Sequence, residues 1–180
     1  MNPDTFASAI LLPNLAEVEL QLGIPFSWEA ARFLQAVALQ ESDCAWRYQR
    51  SRITKAGPAR GWFEFERAGG VRGVMRHPRT ASKAQTWAAL CFVRWEEHAI
   101  WRALEGHDKL AVGFARLLLW SDPYPMPTSP AEAWNCYCHR LWRPGKPRPN
   151  DWKANWTAAG LAINKLRITA AEHKQQDAAA

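Results

Sequence analysis

This 180-residue sequence has no continuous Lys/Arg block, no apolar run of membrane-spanning length and no second Cys pair beside Cys136-x-Cys138. Each absence removes a class of protein. The apolar patch at 7–12 is too short to cross a bilayer. The start, Met1-Asn2-Pro3-Asp4, lacks a basic n-region, so no secretory leader is expected. The formal net charge is +6, which draws a protein to anionic polymers: nucleic acid, membrane surfaces or bacterial walls. Without a basic block, nucleic acid is a secondary candidate. An even count of cysteines permits disulfides, but nothing secretory supports them, and Cys44 and Cys91 sit in apolar helical runs as buried thiols. Cys136-x-Cys138-His139 invites a metal, yet zinc sites spread their ligands as separated pairs, so no metal is expected. Glu96-Glu97-His98 lacks the second histidine of a metalloprotease helix, and His98 and His107 read as ordinary surface or boundary residues. Gly69-Gly70-Val71-Arg72-Gly73 lacks the Gly-Lys-Ser/Thr of a phosphate loop and reads as a turn. No Ser-x-x-Lys or Gly-x-Ser-x-Gly element is present, and no cofactor is expected. With no internal repeat and no long linker, the chain is read as a single domain over 1–170 with a flexible tail at 171–180.

What is present points to helices and aromatic rings. Eleven tryptophans exceed ordinary usage. Trp packs in cores with its N–H near a partner and also stacks on sugar faces, so the excess fits both uses. A first helix is predicted over 14–22, capped by Asn14, helped by Glu17 and stopped by Gly23. Ser27 is the predicted N-cap of a second helix running to about Trp46. A basic stretch at 47–55 follows, with Arg47, Arg50, Arg52 and Lys55 either facing an anion or simply solvated. Gly57-Pro58 and Gly61 mark turns, and Phe63 and Phe65 alternate with acids as in a short strand. Helices are predicted over 81–104 and 108–120, the latter ended by Ser121-Asp122-Pro123. Ser129-Pro130-Ala131-Glu132 is a capping box with proline at N1, and a last helix starts near Asp151. The expected fold is mainly α, with a small loop or short β element.

One residue breaks this pattern. Leu34, Val37, Ala38, Glu41 and Ala45 share a helix face, so Glu41 interrupts an apolar stripe near the helix C-terminus. Desolvation and the negative end of the helix dipole both disfavour its charged form. Trp62-Phe63, if folded over it, would dry the site further. A carboxylic acid still protonated near neutral pH is what glycoside cleavage needs. The competing role for Glu41 is an ion pair with Arg47 or Arg60 at the helix end.

Glu41-Ser42 followed by Gly57-Pro58-Ala59-Arg60-Gly61-Trp62-Phe63-Glu64-Phe65 resembles the lysozyme-like lytic transglycosylase domain. That family carries Glu-Ser at a helix end and then a Gly-Ala-x-Gly-hydrophobic-hydrophobic-Gln-hydrophobic segment over its active site. The likeness covers roughly residues 33–74, and similar segments with a following Gly-Gly-Val are familiar from phage and prophage proteins. The resemblance implies a lysozyme-like helical fold and a cleft for peptidoglycan strands. It implies that Glu41 protonates the bond between N-acetylmuramic acid and N-acetylglucosamine, then acts as base while the muramyl 6-hydroxyl closes a 1,6-anhydro ring. Ser42, Gly61, Trp62 and Phe63 become substrate-binding candidates. A buried glutamate beside aromatics is also how lysozyme keeps its acid protonated.

Two departures matter. The family's glutamine is Glu64 here, which is either a second catalytic carboxylate activating water or a solvated loop acid. The segment between Glu41 and Gly57 is longer than usual for the family. The family's Ala-Tyr-Asn element has a counterpart in Ala133-Trp134-Asn135 or in Tyr137, which either enter the cleft or pack in the core. The resulting expectation is a peptidoglycan-cleaving glycosidase of phage or prophage origin. It would be carried on a virion, with tail or other virion proteins as partners, or released from the host cytoplasm to the wall. A non-catalytic virion or glycan-binding protein with the same fold is the alternative.

Overall fold

A computed structural model describes residues 1–48 and 57–179, leaving out the side chains of residues 174 and 177–179. Arg50, Arg52 and Lys55 of the basic stretch lie outside the described residues, as does Ala180. The protein is mainly helical, with one very small sheet among the described residues.

The first helix starts earlier than predicted. Asn2 accepts the Thr5 N–H at 2.8 Å and caps α1 (Pro3–Phe6). A π turn, Ala7–Leu11, leads into α2 (Leu12–Leu22). Pro13 lacks the N–H that an unbroken helix would use, and the widened turn before it carries the chain past that gap. Asn14, the predicted cap, instead donates its side-chain amide to the Ile10 carbonyl at 2.7 Å. Gly23 ends α2 as expected, in the left-handed conformation.

Helix α3 (Trp28–Ser42) forms the centre of the molecule. Ser27 caps it by accepting the Ala30 N–H at 3.0 Å. Almost every side chain between Ala30 and Gln40 is buried, as befits a helix covered on all sides. It ends four residues before Trp46, because Asp43 and Cys44 both turn left-handed. Strands β1 (Ala59–Arg60) and β2 (Phe65–Glu66) pair antiparallel around a turn at 61–64, with Tyr48 bridging to Arg60. A second π turn, Arg67–Val71, leads into α4 (Arg72–Arg76).

The single helix predicted over 81–104 is two: α5 (Ala81–Leu90) and α6 (Glu97–Ala103). Phe92 adopts φ 55°, and the Val93 N–H returns to the Ala88 carbonyl, which closes α5. Helix α7 (Asp108–Ser121) is capped by the His107 ring, and α8 (Pro130–Trp134) carries the full predicted capping box. A third π segment, Asn135–Leu141, continues α8, and α9 (Pro149–Ala179) closes the chain. The helical backbone thus runs on through the residues read as a tail. Helix α9 lies along α3, while α7 and the π turn at 7–11 also pack against it. No helix among the described residues is long and apolar enough to cross a membrane.

Candidate active site

The end of α3, the β1–β2 hairpin, the second and third π segments and the loop at 142–148 surround an open cleft of about 1080 Å³. Glu41, Ser42, Glu64 and Tyr137 all line it. π turns displace side chains from α-helical register and recur at functional sites. Here one supplies Gly69 and Gly70 to the cleft and the other supplies Tyr137 and Leu141.

Glu41 is the penultimate residue of α3 and is partly exposed to the cleft. Tyr137 donates its O–H to Glu41 Oε1 at 2.8 Å. Arg47 and Arg60, the partners of the competing ion-pair role, are engaged elsewhere. Arg47 forms a two-pronged pair with Asp108, and Arg60 pairs with Glu105 at 3.0 Å. Among the described residues no cation hydrogen-bonds Glu41. Burial pushes its carboxyl from 4.5 up to about 8. The Tyr137 hydrogen bond opposes that rise, neighbouring Glu64 adds to it, and Arg148 holds it back somewhat.

Glu64 is the last turn residue of the hairpin and is only partly exposed. Its backbone sits at φ 45°, a conformation uncommon for a residue with a Cβ. Burial pushes its carboxyl up to about 7, with Arg148 pulling it down and Asp43 and Glu66 pushing it further up. The cleft therefore holds two carboxyl groups that burial pushes toward keeping a proton near neutral pH, with Glu64 adding to the rise at Glu41.

Trp62 and Phe63 do not cover the site, contrary to the sequence expectation. Both are buried in the core and line no part of the cleft. Trp62 packs edge-on against Phe6, lies beneath the Arg47 guanidinium at 4.3 Å and donates its N–H to Asp108 at 2.8 Å. Burying two such rings gains roughly 2–3 kcal/mol each, so the hairpin turns them inward. Gly61 allows that turn. It has φ 76°, and a Cβ there would meet the Leu104 carbonyl oxygen at 2.8 Å. The Ser42 hydroxyl lies 2.9 Å from the Ala38 carbonyl oxygen and 2.8 Å from that of Trp62. It ties the hairpin to the end of α3. Gly61, Trp62, Phe63 and Ser42 thus shape the wall on which Glu41 and Glu64 stand.

Tyr137 combines the two roles left open by the sequence: it is a core residue whose hydroxyl reaches the cleft. Its ring stacks on Trp152 at 5.0 Å and 7°, and Trp134 packs against both rings. Burial and the adjacent Glu41 hold its phenol well above the ordinary range, so it stays a donor. Sequence reasoning missed the loop at 142–148 as a cleft wall. Its Arg148 donates to the Gln40 carbonyl, and Gln40 answers by donating its amide to the Arg148 carbonyl at 3.0 Å. Asn155 donates to the Gln40 side chain at 2.8 Å and completes the clasp. The Pro/Gly/basic composition of that loop was the available signal; its contact with α3 was not.

Cys136 donates to Asp122 at 3.3 Å, and Arg140 pairs with the same carboxylate. Among the described residues no group of three or more His, Cys, Asp or Glu side chains is arranged to hold a metal. Comparison with known proteins finds no matching family model, no matching curated relative and no matching solved structure.

Proposed function

We propose that this chain is a peptidoglycan-cleaving glycosidase of the lysozyme-like lytic transglycosylase type, with Glu41 as its general acid. The observation that carries the reading is a carboxyl group held by one phenol, without a hydrogen-bonded cation among the described residues, in an open cleft of about 1080 Å³. The resemblance around Glu41-Ser42 and residues 57–65 supports the same substrate. In the proposed step the Glu41 carboxyl gives its proton to the glycosidic oxygen as the bond from muramyl C1 breaks. The Glu41 carboxylate then takes a proton back from the group that closes on C1. If that group is the muramyl 6-hydroxyl, the product is a 1,6-anhydro sugar and no water is consumed. If it is water, the Glu64 carboxylate is suited to take the water's proton instead, and Glu41 then regains its own proton from Glu64 or bulk solvent. Tyr137 orients Glu41 and neither gains nor loses a proton overall.

Zymography on purified peptidoglycan tests the reading. Wild type should clear the substrate and Glu41→Gln should not. Mass spectrometry of the released fragments then separates anhydro from hydrated ends. Two inactive proteins would sink the catalytic reading in favour of a glycan-binding virion component. The phage setting, with release to the wall or mounting on a virion, belongs to this proposal and stands on the same resemblance.

A further inference from the structure

Helix α3 ends with the Gln40 carbonyl free of its usual backbone partner. In a continuing helix the Cys44 N–H would reach that carbonyl. Asp43 and Cys44 turn left-handed instead, and the Cys44 N–H goes back to the Ala38 carbonyl at 3.4 Å. The Arg148 guanidinium takes that place and donates to the Gln40 carbonyl. A cation there also meets the negative end of the helix. Gln40 is buried, and both ends of its side chain are used. Its amide donates to the Arg148 carbonyl at 3.0 Å, and its oxygen accepts from Asn155 at 2.8 Å. Pro147 and Pro149 flank Arg148 and limit its backbone. The residue after Gln40 is Glu41. Its carboxyl feels Tyr137 from the third π segment, Glu64 and Glu66 from the hairpin, and Arg148 from the loop. Glu64 feels Asp43, Glu66 and the same Arg148. Arg148 is thus a cation common to both cleft carboxyls. Its hydrogen bond goes to Gln40, so it acts on Glu41 through space and does not occupy the carboxyl.

We propose that Arg148 is a positioning residue for the acid: it fixes the end of α3 that carries Glu41 and supplies the counter-charge to the carboxylate that Glu41 becomes on giving up its proton. The inference rests on the glycan-cleaving reading and deepens it. A neutral carboxyl gains little from a nearby cation. The carboxylate that forms as the glycosidic bond breaks gains more, so the interaction grows along the reaction. The guanidinium is half-exposed, which keeps the effect modest. Its ion pair with Asp151, at 3.6 Å and half-exposed on both sides, adds little to its placement; the buried Gln40 anchor does more.

Two quantities are read for each variant. One is the titration midpoint of Glu41 and of Glu64, from carboxyl NMR of the protein with isotope-labelled glutamate, assigned by the signals lost in Glu41→Gln and Glu64→Gln. The other is the pH profile of peptidoglycan cleavage. Arg148→Gln removes the charge and should raise both midpoints by about half a pH unit. It should move the alkaline limb of cleavage up with Glu41 and lower kcat by about threefold to tenfold, with KM little changed. Arg148→Lys keeps the charge and should return the midpoints and the limb towards wild type. Asn155→Ala loosens the Gln40 anchor without changing any charge. It should lower kcat by about twofold to threefold and leave both midpoints in place. Lys153→Gln removes an exposed cation from the first turns of α9 and should leave every reading at its wild-type value. Midpoints that stay put in Arg148→Gln, or that move as far in Lys153→Gln or Arg148→Lys, would overturn the proposal. If wild type never cleaves, the reaction falls on its own; midpoints that still rise in Arg148→Gln alone would keep the counter-charge.

Discussion

Two carboxylates stand close to the Trp62 turn and meet opposite fates. Asp108 opens α7 and Glu41 nearly closes α3. Each accepts one hydrogen bond from an aromatic side chain at 2.8 Å, Asp108 from Trp62 and Glu41 from Tyr137. The resemblance ends there. Asp108 sits at the positive end of its helix and is gripped by both arms of the Arg47 guanidinium. Glu41 sits at the negative end of its helix, with Glu64 nearby and no bonded cation among the described residues. The first arrangement matches a charge and holds the hairpin to α7. The second keeps a charge unmatched and so favours a proton. Local partners, rather than residue type, separate an acid held as a charge from one that favours a proton.

The comparison breaks most visibly at Glu41. Glu41→Gln keeps the shape and the Tyr137 hydrogen bond but removes the proton, so cleavage in the zymogram assay should fall by about 100-fold to 10,000-fold. Asp108→Asn should do the converse. It strands Arg47 and should cost about 1–2 kcal/mol in urea unfolding, with cleavage per folded molecule retained. The pair is part-exposed, which keeps that figure low. A large loss of activity in Asp108→Asn at full stability would erase the distinction.

The same contrast appears in stability against pH. Burial raises Glu41 from 4.5 to about 8. The folded protein therefore keeps a proton that the unfolded chain releases. Stability is greatest below the unfolded value, declines as pH rises between the two, and levels off above about 8. Glu41→Gln is neutral throughout. It should match wild type near pH 4 and be more stable by about 1–3 kcal/mol near pH 9, read by urea unfolding at both values. Burying this acid costs stability above its unfolded value, and its removal should return it.

Much of this contrast was legible from residue order alone. Ser27 and Ser129 announce their helices, Gly23 ends one, and Glu41 stands out because a carboxylate interrupts an apolar stripe. Those are local signals, complete within one or two turns. What escaped depends on distant chain. Trp62 and Phe63 are as hydrophobic as a substrate platform or a core residue would be, and only the Gly61 turn and the partners Phe6 and Asp108 decide between them. The break between α5 and α6 turns on one left-handed residue, Phe92, in a run whose periodicity continues across it. Arg148 reaches Gln40 across 108 positions of sequence, a separation that no motif spans.

Tyr137 gives the smallest and most specific effect. Its hydroxyl donates to the charged form of Glu41 and so lowers that carboxyl, against the larger upward push of burial. Tyr137→Phe removes the donor while leaving the ring stacked on Trp152. The Glu41 carboxyl then rises further, so the alkaline limb of the cleavage profile, where the acid loses its proton, should move to higher pH. The rate at the optimum should fall less than about tenfold, as for one lost neutral hydrogen bond that only orients the acid. Rates of dye-labelled peptidoglycan release across pH, with wild type as reference, read both quantities. A limb that moves to lower pH would mean that Tyr137 keeps Glu41 protonated by some other route. A limb that stays put would mean that the titrating acid is another group, with Glu64 first in line because burial raises it too.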